Sequence, residues 1–139
     1  MKELSINLVT LVVPDYDVAI KYFVETLRFS VIQDTPQGLG KRWVVVAPST
    51  RASMRLLLAQ ASTEEQSRAI GNQTGGRVFL FLYTTDFDAT FEDYIAKGVN
   101  FIETPRQETY AKVVKFRDAF GNLWDLLEHQ SQSRSIGVD

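Results

Sequence analysis

Apolar and polar positions along this chain form one pattern that is used twice. The apolar run Leu8-Val9-Thr10-Leu11-Val12-Val13 leads into Asp15-Tyr16-Asp17, and Phe79-Leu80-Phe81-Leu82-Tyr83 leads into Asp86-Phe87-Asp88, an offset of 71 residues between Asp15 and Asp86. At that offset Tyr16, Ile20, Phe23 and Val24 fall on Phe87, Phe91, Tyr94 and Ile95, the i, i+4, i+7, i+8 spacing of one helix face. Each copy therefore reads as a strand followed by an amphipathic helix. Further on, Asp34-Thr35-Pro36 answers Glu103-Thr104-Pro105 with the register slipped by two, as expected where loops of unequal length join equivalent elements.

The first module spans residues 5–59. Its opening strand, residues 5–13, carries apolar side chains on both faces, which predicts cover on both sides. Pro14 ends it, Asp15 is a suitable N-cap for a helix running to about Arg28, and Asp17 adds negative charge at the positive end of the helix dipole. Strands are predicted over residues 29–33, 42–47 and 54–59, punctuated by Pro36-Gln37-Gly38-Leu39-Gly40 and Pro48-Ser49-Thr50. Gly38 and Gly40 read as hairpin glycines, because no lysine-serine pair follows them and no helix opens there. Residues 60–76 are polar and free of large aromatics; they read as a linker holding one short helix, started by Ser62-Thr63-Glu64-Glu65 and stopped by Gly75-Gly76.

The second module, residues 77–128, repeats the plan. A strand over residues 77–84 precedes a helix over 87–97 that stops at Gly98, and strands follow near 100–103, 112–117 and 123–128. Residues 129–139 form a tail, predicted to fray from Gln130. The whole is predicted to be a single α+β domain over residues 1–139. Two βαβββ modules, neither able to bury both faces of its sheet alone, would pack into a curved mixed sheet with helices outside and a concave cup inside.

Composition narrows the function classes. With 45% hydrophobic residues the chain can build a sizeable core, and a net charge of -2 without a basic cluster gives a nucleic acid or an anionic membrane surface nothing to attract. No apolar stretch approaches the roughly 20 residues that a bilayer requires, and Met1-Lys2-Glu3-Leu4 lacks the features of a signal peptide. A cytoplasmic protein is expected. The absence of cysteine excludes disulfides, thiolate nucleophiles and cysteine-ligated zinc.

Taken together, Val9-Thr10-Leu11-Val12-Val13-Pro14-Asp15 with its helix, Asp86-Phe87-Asp88, Gly98-Val99-Asn100-Phe101 and the run from Phe116 through Asp118, Gly121 and Asn122 to Leu126 resemble the glyoxalase/bleomycin-resistance/dioxygenase superfamily, the vicinal-oxygen-chelate fold. The resemblance covers about residues 5 to 128. It implies a small-molecule ligand held in the cup and a homodimer. The superfamily's metal enzymes carry a histidine where this chain has Leu8 and another where it has Phe79, and often a fourth-strand glutamate where Met54-Arg55-Leu56-Leu57-Leu58 offers no carboxylate. Of those positions only Asp125 is acidic, and one carboxylate does not chelate a divalent ion. The resemblance therefore implies a member with no metal and no cofactor. Relatives also place a glycine where Arg28 follows the leucine ending the first helix, so that helix is expected to end without a left-handed glycine.

Candidate site residues follow from strand alternation and that fold. Leu8, Thr10 and Val12 would share the concave face with Phe79, Phe81 and Tyr83, either stacking a flat hydrophobic ligand or filling a collapsed cup. Trp43 would line the same cup, Trp124 would face the helices, and Tyr110 lies in a turn-rich loop suited either to binding or to closing a hairpin. Asp125, a carboxylate among apolar strand residues, reads either as a general base or as one half of a salt bridge with Arg55, Arg42 or Lys112. Arg55 either pairs with it or anchors an anionic group of the ligand. His129, the sole histidine, reads as a solvated tail residue. Three functions stay in play: metal-independent sequestration of a hydrophobic or aromatic molecule, of the resistance type; a lyase, isomerase or dioxygenase-like enzyme using Asp125 as base; and a dimeric interaction protein whose cup has closed over itself.

Overall fold

The computed structural model describes residues 2–129 and divides into two compact units, residues 1–73 and 74–139. The tail expected to fray from Gln130 lies outside the described residues. The boundary falls inside the segment read as a linker, most of which belongs to the first unit.

In the first unit β1 (Leu8–Val13), β2 (Ser30–Gly38), β3 (Lys41–Ala47) and β4 (Arg55–Gln60) form one sheet in the order β1-β4-β3-β2, with β1 and β4 parallel and the other pairs antiparallel. Helix α1 (Tyr16–Lys21) continues into a π-turn (Tyr22–Thr26), and α2 (Glu64–Ala69) follows β4. Leu11, Leu58 and Val44 are register partners in one fully buried row, and Tyr16, Ala19 and Phe23 are the buried residues of the helix. Burying each of these larger side chains contributes about 1.5–3 kcal/mol before entropy is charged. The alternate row, Thr10, Leu57 and Val45, lies on the opposite face. That face is not covered as the apolar run predicts: Leu8 and Thr10 are exposed and Val12 is half-buried, while residues 5–7 are not strand.

In the second unit β5 (Val78–Thr84), α3 (Phe87–Ala96), β6 (Asn100–Phe101), β8 (Lys112–Arg117) and β9 (Leu123–Glu128) repeat the plan in the order β5-β9-β8-β6. An unpredicted two-residue strand, β7 (Arg106–Gln107), pairs with β8 inside the segment read as turn-rich loop. Where the first unit's strands pair Val46 with Leu56, the second pairs Phe116 with Trp124. Trp124 stacks on Phe116 at 5.5 Å, and Phe116 meets Tyr94 and Phe101 edge-on. Trp124 thus faces the helix side, as its place in the strand implies.

Both helices begin alike. Asp15 Oδ1 accepts from the Val18 amide at 2.9 Å and Asp86 Oδ1 from the Ala89 amide at 3.1 Å, the expected N-caps. They end differently. Gly98 takes φ +84° and the Val99 amide donates to the Tyr94 carbonyl at 2.9 Å, a Schellman-type stop. In the first unit Arg28 itself takes the left-handed conformation, φ +66°, and the Phe29 amide donates to the Phe23 carbonyl at 2.8 Å. The helix thus ends without a left-handed glycine, as expected, and Arg28 itself adopts that conformation. Phe23 matches Tyr94 at the repeat offset, yet its closing bond reaches one residue further along the chain. The π-turn absorbs that extra residue, since a π-bulge is a single insertion within an α-helix.

Candidate functional site

The open face of the first unit carries a hollow of about 790 Å³. Thr10 and Val12 from β1, Trp43 from β3 and Leu57 and Ala59 from β4 line it, and Gln60, Ser62 and Gln66 close one side. Its other wall is the β2–β3 turn, where Gly38, Leu39 and Gly40 take φ of +88°, +56° and +78°. Two glycines make that tight reversal inexpensive, consistent with the hairpin role read for them.

The sequence-predicted site residues separate into groups. Thr10 and Trp43 line the hollow. Leu8 and Arg55, register partners on β1 and β4, do not, and the Arg55 Nε donates to the Ala52 carbonyl at 3.5 Å. Phe79, Phe81, Tyr83 and Tyr110 belong to the second unit. There Phe81 and Tyr83 are 57% and 52% exposed, Phe79 is half-buried, and Tyr110 is exposed beside Arg106. His129 is exposed, but its amide donates to the Thr84 carbonyl at 2.9 Å and its ring lies 5.0 Å from that of Tyr83, so its backbone still belongs to the sheet.

Asp125 is 7% exposed, and its Oδ1 accepts from Lys115 Nζ at 3.0 Å across the β8–β9 pair. Lys112, the expected partner that lies in the same unit, does not pair with it. Arg42 is held by Asp17 at 2.9 Å and in a two-pronged contact with Asp34 at 2.8 and 3.2 Å. Lys112 binds Asp88 at 2.7 Å. The repeat explains both. Arg42 lies over the Tyr16 ring and Lys112 over the Phe87 ring, each 5.1 Å from the centroid, and each binds the aspartate that follows that ring. They are one rim device used twice. The hydrogen bond from Arg42 holds the Asp34 carboxyl below the usual carboxylate range, and the two carboxylates hold the Arg42 guanidinium well above its own. The bond to Asp88 raises Lys112.

Three glutamines matter that sequence reasoning passed over. Gln60 Oε1 accepts from the Tyr16 amide at 3.0 Å, joining the end of β4 to the start of α1. Glu128 Oε1 does the same for the Phe87 amide at 3.0 Å in the second unit. Gln66 Oε1 accepts from the Ser62 amide at 2.7 Å and hydroxyl at 3.1 Å. Gln73 brackets the outer edge of β1, accepting from the Val12 amide at 2.6 Å and donating to the Thr10 carbonyl at 3.1 Å, which occupies an otherwise open strand edge. A faint signal for the first pair exists in the repeat, since Gln60 and Glu128 both close a final strand.

The run Asp118 to Asn122 is structural. The buried Asp118 carboxylate accepts from the Phe120 and Asn122 amides, the Asn122 side chain and the Trp124 indole, all within 2.9 to 3.0 Å, fixing the β8–β9 turn.

The glyoxalase/bleomycin resistance protein/dioxygenase superfamily model matches residues 5–126. The chain belongs to that superfamily. It is 49% identical over 125 residues to an uncharacterized protein of Shewanella frigidimarina, covering 89% of this chain and 93% of the relative. Among solved structures it is similar to a superfamily member from Sphaerobacter thermophilus (TM-score 0.76, 26% identity, 91% and 98% coverage). It is also similar to TnmS3, an antibiotic binding protein from Streptomyces sp. CB03234 (TM-score 0.75, 26% identity, 94% and 99% coverage). These neighbours bear out the superfamily's α+β fold. The superfamily's divalent metal does not fit the residues here: Leu8 and Phe79 offer no donor atom and Asp125 is engaged by Lys115. Among the described residues no three His, Cys, Asp or Glu side chains come together, and no helix is long and apolar enough to cross a membrane.

Proposed function

We propose that this superfamily member binds a small hydrophobic or aromatic molecule and sequesters it, and that the hollow of the first unit is the site. The observation that carries the reading is the hollow itself. Its volume of about 790 Å³ lies in the range of drug-sized ligand sites, about 300–1,000 Å³. Its lining joins one large aromatic, Trp43, to aliphatic side chains and a few polar groups. The resemblance to an antibiotic binding protein supports sequestration as the purpose, and a homodimer and a cytoplasmic setting belong to the same proposal. A catalytic role for Asp125 has less support, because Lys115 takes one of its oxygens and little of the residue reaches solvent.

The test is a panel of aromatic compounds followed by quenching of tryptophan fluorescence, with Leu57→Arg as the blocking variant. Leu57 sits mid-strand on the open face, so the longer side chain enters the hollow rather than the core. Saturable binding by the natural protein, lost in Leu57→Arg, is the expected result. Binding that survives the substitution would overturn the hollow as the site.

A further inference from the structure

The hollow has a hydrogen-bonding polarity, and it selects the ligand's chemistry. A backbone N–H can only donate, so a side chain facing it must present an acceptor. Gln60 must turn its carbonyl to the Tyr16 amide and Gln66 must turn its own to the Ser62 amide, which leaves both NH₂ groups without a partner among the described residues. The Tyr16 hydroxyl oxygen accepts from the Arg42 amide at 3.1 Å, so its proton is left to donate. Lys41, a fourth lining residue, has no carboxylate partner among the described residues, and no aspartate or glutamate lines the hollow. The remaining cation, Arg42, is already occupied by Asp17 and Asp34.

The second unit shows that this polarity is not required by the fold. Glu128 performs the work of Gln60 with a carboxylate, which has no N–H to offer. Bracing the helix needs one acceptor oxygen; an amide supplies it and adds two donors.

Resting on the proposed binding role, we infer that the hollow takes an aromatic acid: a planar ring system bearing a carboxylate or comparable anionic oxygens, met by the amides of Gln60 and Gln66, the Tyr16 hydroxyl and the Lys41 ammonium. An amine-bearing aromatic of the same shape finds no anionic partner in the lining.

Matched probes test this. 2-Naphthoate and 2-naphthylmethylammonium share a ring system and differ in the sign of their charge. Titrated against tryptophan fluorescence, the naphthoate is expected to bind at least about tenfold tighter, the size of one charge-assisted hydrogen bond. Gln60→Glu and Gln66→Glu keep the structural acceptor and replace the donor with a second acceptor. Each is expected to weaken naphthoate binding by about tenfold or more while the melting temperature holds, and to narrow or reverse the preference. Equal affinity for the two probes, with both lost in Leu57→Arg, would overturn the aromatic-acid inference and leave the hollow as the site. Failure of both probes to bind would overturn this inference and count against the binding role as well.

Discussion

At the centre of its open face the first unit sets Thr10, Leu57 and Val45 side by side; at the matched register the second sets Phe81, Asp125 and Lys115. Around those centres much is held in common: the aspartate N-caps, the cation lying over the first aromatic of the helix, and the brace from the last residue of the final strand. What was duplicated closely is what fixes each helix to its sheet. What diverged is the chemistry on the open face, because nothing in the fold constrains it. The first unit became an apolar hollow with donors on its edge. The second kept a carboxylate and enclosed it with a lysine.

Transplanting one centre into the other breaks this contrast most directly. Lys115→Val alone removes the partner of a nearly buried carboxylate and is expected to cost about 2 kcal/mol, less than the 3–5 of a deeply buried pair because Lys115 is partly solvated. Lys115→Val with Asp125→Leu recreates the Val45–Leu57 arrangement, and it should recover the natural stability or exceed it, since apolar replacements of buried pairs often do. Urea unfolding midpoints of the two variants measure the difference. A double variant no more stable than Lys115→Val alone would mean that the ion pair, rather than packing, holds the second unit's face together.

The helix stops provide a smaller test. Gly98→Ala is expected to cost about 1 kcal/mol from backbone strain, since a Cβ there meets no atom within 4 Å. Arg28→Gly relieves the same strain in the first unit and should stabilise by about 0.5 kcal/mol, the relief being partly offset by greater freedom of the unfolded chain. Thermal unfolding followed by circular dichroism gives both signs. If Arg28→Gly destabilises, the arginine side chain is contributing more than the conformation costs.

Much of this architecture was legible in the sequence because the repeat supplies a second reading of every element. The 71-residue offset placed both helices and both caps, and the last two strands fall where their apolar runs predict. The π-turn was not legible. The matched apolar anchors end at Val24, inside the π-turn and ahead of the closing bond from Phe29 to Phe23 where the extra residue shows, so periodicity does not register it. The partner of Asp125 was hidden by strand register: Lys112 and Lys115 lie on opposite faces of β8, and the Asp118 turn decides which residue stands opposite Asp125. The hollow was half legible. Thr10 and Trp43 follow from alternation, whereas Gln60, Ser62 and Gln66 sit in a polar stretch whose composition reads only as spacer.

The rim cations offer the smallest effect and the one most specific to each unit, because they act at opposite ends of the pH scale. Arg42 lowers the pKa of Asp34 in the folded chain below the unfolded value of about 3.9. The stabilisation is therefore present above that pH and lost as pH falls through the folded value. Lys112 is raised by Asp88, so its contribution is present below about 10.4 and lost as pH rises through its folded value. Both pairs are exposed enough for solvent and salt to screen them, which keeps each effect small. Stability differences between the natural chain and Asp34→Asn should be constant from about pH 5 to 8 and shrink as pH falls below the unfolded carboxylate value of about 3.9. Those between the natural chain and Lys112→Met should instead shrink as pH rises beyond the unfolded value of about 10.4. If both variants lost their difference at the same end, the Arg42–Asp34 and Lys112–Asp88 pairs would not be the groups responsible, and the shared rim geometry would reflect packing of the cation on its ring.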